Sequence, residues 1–321
     1  LKPKPELPSP KRLQSNKMIS YLGIKLTGEG FRVSNEAAEK LLNNRANAQI
    51  LKKYMRGETI NDSPAQHPDG YVIDFTGKTL EEARRWPELL SIVEEYVRPQ
   101  REKTNRKSRR DNWWLFGETA MGLRRALQGL STCIVTIRVP KHIAFSILPT
   151  DRVFNEKVVV IAKDHPGILS VLQSRLHTTW AKRHSIRYAP SDCLETFPLP
   201  SEPELDLLRE IGTFLDADRR NYMIARSAGL TTTYNVLNDS QESGARTQAL
   251  RALHEDVDRA VLSAYGWSDI QIPPYCGATP KQLEVFEDEV LDRLFDLNAQ
   301  RAHEEAHPTV RRPSKSRAQT A

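Results

Sequence analysis

The sequence predicts an α+β protein: a mixed α/β unit built on a small antiparallel sheet, followed by an α-helical C-terminal unit. Three observations predict it. Strand-like runs rich in Val and Ile are confined to the first two-thirds of the chain, where they share the sequence with helical segments. The segment ETFPLP, residues 195–200, breaks the pattern with two prolines, and past it the periodicity is helical throughout. The charge reverses at the same place: residues 1–201 hold 33 Lys and Arg against 21 Asp and Glu, residues 202–300 hold 9 against 18, and residues 301–321 hold 5 against 2. The expected organisation is a proline-rich linker (1–17), an α/β unit (18–200), a helical unit (201–308) and a polar, basic, disordered tail (309–321).

Each element has a local reason. Residues 18–33 alternate enough for two short strands around a turn at Gly28–Gly30. Ser34 caps a helix to about Asn44, and a further short helix is expected over about 47–55. YVIDF, 71–75, reads as a strand. Thr79 with Glu82 three residues on forms a capping box, and Pro87 starts an amphipathic continuation to Val97. Residues 119–128 read as helical. CIVTIRV (133–139), IAFSIL (143–148) and VFNEKVVVI (153–161) predict a meander of three antiparallel strands. A helix over 167–182 places Leu169, Leu172, Leu176 and Trp180 on one face. Ser201 with Glu204 opens a helix to about Ser227, with further helices at 245–265 and about 280–306.

With 321 residues, 39% of them hydrophobic, the chain can bury a sizeable core, which excludes collagen-like, low-complexity and small disulfide scaffolds. No apolar run approaches membrane-spanning length, so no membrane partner is expected. Cys133, Cys193 and Cys276 are odd in number and widely spaced, which argues against a disulfide framework or a structural zinc site and for a reducing, cytoplasmic setting. The charged start has no apolar stretch and does not read as a signal peptide; a first residue of Leu suggests a fragment or a processed product.

The sharpest local feature is RPQREKTNRKSRRDNWW, 98–114. Between Arg98 and Arg110, the cations Arg98, Arg101, Lys103, Arg106, Lys107, Arg109 and Arg110 stand against a single acid, Glu102. No core buries that density, so the stretch is expected to be a solvated loop or an anion-binding surface. Cations that neutralise phosphates suit nucleic acid. Trp113 and Trp114, followed by Leu115 and Phe116, read as core instead.

Three motifs resemble catalytic signatures and fail on chemistry. His303-Glu304-Glu305-Ala306-His307 has zincin spacing, but none of the residues after it is His, Asp, Glu or Cys, and Pro308 ends the helix. Ile272-Pro273-Pro274-Tyr275 is similar to the motif of amino-group DNA methyltransferases, but Ile272 cannot accept a hydrogen bond from a target amine. Leu26-Thr27-Gly28-Glu29-Gly30 is similar to a glycine-rich cofactor loop but lacks a strand–turn–helix frame and a ribose-binding acid. No catalytic, cofactor-binding or metal-binding residues are therefore assigned.

The order of motifs is more specific. LGIKLTGEGF (22–31), YVIDFTGKTLEEARRWPELLSIVEEYVRPQR (71–101), WWLFGE (113–118), IRVPKHIAFSILPTDRVFNEKVVVIA (137–162), VLQSRLHTTWAKRH (171–184) and RYAPSDCLETFPLP (187–200) resemble the target-recognition region of MmeI-like and PglX-like adenine-N6 DNA methyltransferases of restriction–modification and phage-defence systems. LTTTYNVLND (230–239), DRAVLSAYGW (258–267) and DRLFDLNAQRAHEE (292–305) resemble their helical C-terminus. The resemblance implies a domain that reads double-stranded DNA and is non-catalytic by itself. It also implies an S-adenosylmethionine-dependent core, carried on the same polypeptide or as a separate subunit, and in some members a nuclease.

Such a reader sets its register on phosphates and reads base edges from loops. Arg138, Lys141, His142, Arg152 and Asn155 lie at the ends of the strand-like runs, as does Asp151, and Lys182, Arg183, His184 and Arg187 lie at a helix end where they could clamp the backbone. Asp192 and Glu195 read as structural, and the acidic helical unit as a packing partner for a core or a subunit. Two rivals remain at this point: a complete but degenerate S-adenosylmethionine-dependent methyltransferase, and a protein-interaction scaffold that touches no DNA.

Overall fold

A computed structural model describes residues 9–184 and 188–307, with His184 and Ser191 described by backbone alone. Among the described residues, eight strands form two sheets. In the first, β1 (Ser20–Leu22), β8 (Val158–Ile161), β5 (Thr132–Ile137) and β6 (Ser146–Pro149) lie in that order, all antiparallel. The second has β2 (Arg32–Val33), β4 (Tyr71–Ile73), β3 (Leu51–Met55) and β7 (Arg152–Phe154), with β3 and β7 parallel.

Three expectations for the strands are corrected. The segment 18–33 is no hairpin: β1 pairs with β8, while β2 pairs with β4 in the other sheet. Its glycines serve close packing, since a Cβ on Gly30 would come within 2.5 Å of Tyr96 Cβ. Residues 51–55 are strand, not helix, because Leu51, Tyr54 and Met55 bury themselves while the backbone pairs with β4 and β7. The three runs after residue 132 are no meander. VFNEKVVVI divides at Asn155, whose carboxamide accepts from Lys157 N–H at 3.2 Å and whose carbonyl accepts from Val158 N–H at 2.9 Å. The half before that turn joins β3, and the half after it returns to the far side of β5.

The helices of the first part are α1 (Asn35–Leu42), α2 (Gly57–Asp62), α3 (Leu80–Ala83), α4 (Pro87–Tyr96), α5 (Arg98–Glu102), α6 (Lys107–Asp111), α7 (Met121–Ala126), α8 (Pro166–Gln173), α9 (Arg175–His184) and α10 (Pro190–Cys193). Ser34 caps α1 by accepting from Ala37 N–H, and the Thr79–Glu82 capping box forms. The helix expected over 167–182 is two, because Ser174 adopts an extended conformation between α8 and α9. The second part holds α11 (Glu202–Leu207), α12 (Arg209–Ala225), α13 (Leu230–Leu237), α14 (Ala245–Ala264) and α15 (Pro280–Ala306). The Ser201–Glu204 capping box opens a helix as expected, but the helix expected to reach about Ser227 is two, since α11 ends at Leu207 and α12 starts at Arg209. Helix α13 falls in LTTTYNVLND, for which the sequence reading sets no helix bounds.

Burial sorts these elements into two cores. One joins the second sheet to α1, α3 and α4 and takes in Trp113, Trp114 and Phe116, so the adjacent indoles are core as expected. The other joins the first sheet and α8–α9 to α12, α13, α14 and α15 without a break at residue 201. At the crossing of α8 and α12, a Cβ on Gly212 would lie 2.1 Å from the Pro166 carbonyl oxygen. Side chains of α12 also close the free edge of β6: Asp216 accepts from Ile147 N–H at 3.4 Å, and Arg220 donates to Ile147 C=O at 3.2 Å. Buried Arg219 donates to Gln173 Oε1 at 2.9 Å, to Tyr234 Oη at 3.0 Å and to the Phe145 carbonyl.

Residues 9–17 are held by the body of the protein. Asn298 of α15 exchanges hydrogen bonds with both backbone groups of Lys11, each at 2.8 Å, and Glu305 accepts from Gln14 and Ser15 N–H. Leu13 is buried.

Candidate nucleic-acid interface

The basic segment is two short helices rather than a solvated loop, and its seven cations divide by what they touch. Arg101 turns inward, only 2% exposed, and donates to the carbonyls of Thr27 (2.7 Å), Leu26 (2.9 Å) and Leu115 (3.0 Å). Burial, with Arg109 close by, lowers its pKa to about 10, so it stays charged at neutral pH. It organises the 26–27 and 115 loops and offers nothing to a phosphate. Arg98 is held between Glu94 (2.6 Å) and Glu102 (3.2 Å) and stacks 5.5 Å over Trp113. Arg109 is largely covered and 3.9 Å from Glu118, and Arg110 donates to the Thr104 carbonyl at 2.6 Å. Lys103, Arg106 and Lys107 are exposed and meet no carboxylate among the described residues. They are the part of the run available to an anion.

The residues at the strand ends divide likewise. Asn155 is buried and spends its carboxamide on the turn between β7 and β8. The Arg152 side chain is 8% exposed and donates twice to Asp151, whose other oxygen takes Lys53 Nζ at 2.6 Å. Burial alone would raise the Asp151 pKa, yet Lys53 and Arg152 hold it below the usual carboxylate value. Arg152 is therefore held against Asp151, in a cluster that with Lys53 keeps one net positive charge. Arg138 is exposed beside exposed Val139, in a cleft of about 500 Å³ that Glu58, Asp62, Glu156 and Lys157 also line. Lys157 is paired with Glu58 at 2.5 Å, which leaves the Arg138 guanidinium as the unpaired cation of that cleft among the described residues.

Lys141, His142 and Lys182, far apart in sequence, come together in a second cleft of about 260 Å³. His142 Nε2 lies 2.9 Å from Asn235 Oδ1 of α13, which fixes its ring across the junction. The helical part supplies Tyr234, Asn238, Tyr275 and Glu287 to the same lining, residues that the sequence reading missed. No local pattern marks them, apart from the Pro-Pro that precedes Tyr275. Arg183 packs its guanidinium 4.8 Å over the Phe295 ring of α15. Arg187 lies outside the described residues.

The motifs that resemble catalytic signatures are occupied by packing. Gly28, at φ +140°, would press a Cβ to 2.9 Å from Val97, so the residue that ends α4 fills the space over the glycine-rich loop. Ile272 packs on the core, and Tyr275 N–H donates to Glu255 at 2.7 Å. His303 and His307 stack ring on ring at 4.5 Å, Glu305 is engaged by Gln14 and Ser15, and no group of three or more metal-ligating side chains occurs among the described residues.

The family model of the MmeI target recognition domain matches residues 10–201. No curated protein matches the sequence. Among solved structures, the chain is similar to the Type IIL restriction–modification enzyme MmeI in complex with DNA, with a TM-score of 0.67 and 18% sequence identity. That match covers 92% of this chain and 37% of the other, so the two share a fold that includes the C-terminal helices, and this chain spans little more than a third of that enzyme's length. With more than half of its residues matched by the family model, the chain belongs to the family of MmeI target-recognition domains.

Proposed function

We propose that this chain reads the sequence of double-stranded DNA and confers specificity on a restriction–modification enzyme that methylates adenine at N6. The observation that carries this reading is a coincidence of position. The segment matched by the family model, 10–201, contains exposed cations that meet no carboxylate among the described residues, including Lys103, Arg106, Lys107, Arg138, Lys141 and Lys182. An adenine methylase has to extrude its target base and know its position on the duplex. Phosphate contacts fix that position, and donors aimed at base edges fix the sequence. Lys103, Arg106 and Lys107 suit the first task. Arg138 suits the second, because a guanidinium matches the two acceptors of guanine and the acids around it can accept from cytosine or adenine amines.

S-adenosylmethionine and the transfer step belong, in this proposal, to a methyltransferase core on the same polypeptide or on a separate subunit. Among the described residues no helix is long and apolar enough to cross a membrane, and we place the protein in the cytoplasm beside its DNA. The test is fluorescence anisotropy of this chain with labelled duplexes across a salt series. Binding whose log affinity falls linearly with log salt, by about 0.9 per phosphate contact, with a reproducible preference among randomised duplexes, is expected. Absent or salt-independent binding overturns the proposal.

A further inference from the structure

We infer that the cleft between α9 and the C-terminal helices grips a phosphate of the DNA backbone, so that the acidic helical part, which the family model does not cover, forms one wall of the DNA interface. This rests on the DNA-reading function proposed above. Lys141 enters from the β5–β6 connection and Lys182 from the last turn of α9. Both are exposed, and neither meets a carboxylate among the described residues. The other basic side chains there are committed: Arg175 to Asp258, and the His142 ring to Asn235. Thr178 and Asn238 add polar groups, and buried Tyr234 and Phe286 close the floor. Two compact ammonium groups flanked by neutral polar groups suit a phosphate, which they hold as point charges, better than a base edge, whose reading needs a planar fork. Glu287 is the one acid in the lining, and it pairs with no cation among the described residues. It opposes an anion in the cleft and so weakens the grip.

That last residue makes the idea testable with the full chain. By anisotropy on one duplex between low and moderate salt, Lys141→Gln and Lys182→Gln are each expected to flatten the salt slope by about 0.9 and to lower affinity equally for all duplexes. Glu287→Gln is expected to tighten binding about twofold to fivefold at low salt, the scale of one exposed charge interaction. A purely structural role for these exposed residues would not produce opposite signs. Circular dichroism and urea midpoints equal to the parent's establish that each variant is folded. If the parent binds but all three variants keep its slope and affinity, the cleft is no phosphate site. If the parent binds no duplex, the function proposed above fails first, and the two failures are told apart by the parent's own titration.

Discussion

Arg175 and Asp258 are joined at two points: the Arg175 backbone N–H donates to one carboxylate oxygen at 2.7 Å, and its Nε donates to the other at 2.5 Å. The pair ties the first turn of α9 to the middle of α14, and Asp258 is 1% exposed. Burial pushes the Asp258 carboxyl upward in pKa even with the guanidinium beside it, so the site is expensive to charge. Arg175→Met or Asp258→Asn alone should each cost about 3–5 kcal/mol, because the partner is left buried and uncompensated. The double variant Arg175→Met with Asp258→Leu should recover most of that loss. Urea midpoints measure both, and additive losses in the double variant would refute the account.

Arg101 and its neighbours should separate sharply. Neutralising Lys103, Arg106 and Lys107 together should flatten the salt slope of DNA binding by about 2.7, three contacts at roughly 0.9 each, with an unchanged urea midpoint. Arg101→Gln should lower the midpoint, since it strands buried carbonyls of Leu26, Thr27 and Leu115 at about 1–3 kcal/mol per lost partner. An Arg101 variant that is fully stable yet loses only salt-dependent affinity would contradict the inward placement.

Two buried histidines set a pH dependence. His177 Nδ1 lies 3.0 Å from the Leu172 carbonyl and its Nε2 is 3.1 Å from the Tyr188 hydroxyl. Burial lowers its pKa to about 4, and burial, with Arg219 and Arg175 nearby, lowers that of His254 to about 3. The unfolded chain titrates at about 6.5, so below that pH it binds protons the folded chain refuses. The stabilisation is complete above about pH 6.5 and drains as pH falls toward 4, with a slope approaching about 1.4 kcal/mol per pH unit for each histidine. Urea denaturation at pH 7.5, 6 and 5 should show it, with a shallower dependence in His254→Gln.

The closed edge of β6 predicts behaviour at high concentration. Asp216→Ala with Arg220→Ala leaves Ile147 N–H and C=O without their side-chain partners, at about 1–3 kcal/mol. An unpaired edge is also a template for another chain. Light scattering over a concentration series should detect association in the double variant and not in the parent.

Gly212→Ala should loosen the crossing of α8 and α12 at a cost of about 1–3 kcal/mol, the usual penalty of overpacking. Its Cβ would meet the Pro166 carbonyl oxygen at 2.1 Å and Ser170 Oγ at 2.6 Å. Gly266→Ala is the control: at φ +73° with nothing within 4 Å, it carries only backbone strain of about 1–2 kcal/mol.

What was legible in the sequence is what is local. Ser34, the Thr79–Glu82 box and the Ser201–Glu204 box act within three residues, and the helices they open start where expected. Strand partnership is decided at a distance. Nothing near Ser20 announces Ile161 as its partner, and nothing near Lys53 announces Arg152. The candidate interface divides along the same line. Residue type marked the cations, but the fate of Arg101 depends on Leu26 and Thr27, 75 and 74 residues away, and that of Arg152 on Asp151 held by Lys53. The second cleft needs α15 folded back on α9 and α13 brought to His142 of the β5–β6 connection before it exists.

The core shared by β5, β8, α8, α12, α14 and α15 bears on where this chain can be cut and grafted. A cassette cut at residue 201 would leave Gln173, Phe145 and the Pro166 carbonyl facing a stranger's helix in place of Arg219 and Gly212. A transplant that runs from before Ser20 to beyond Leu294 carries both halves of the joint and arrives already fitted to itself.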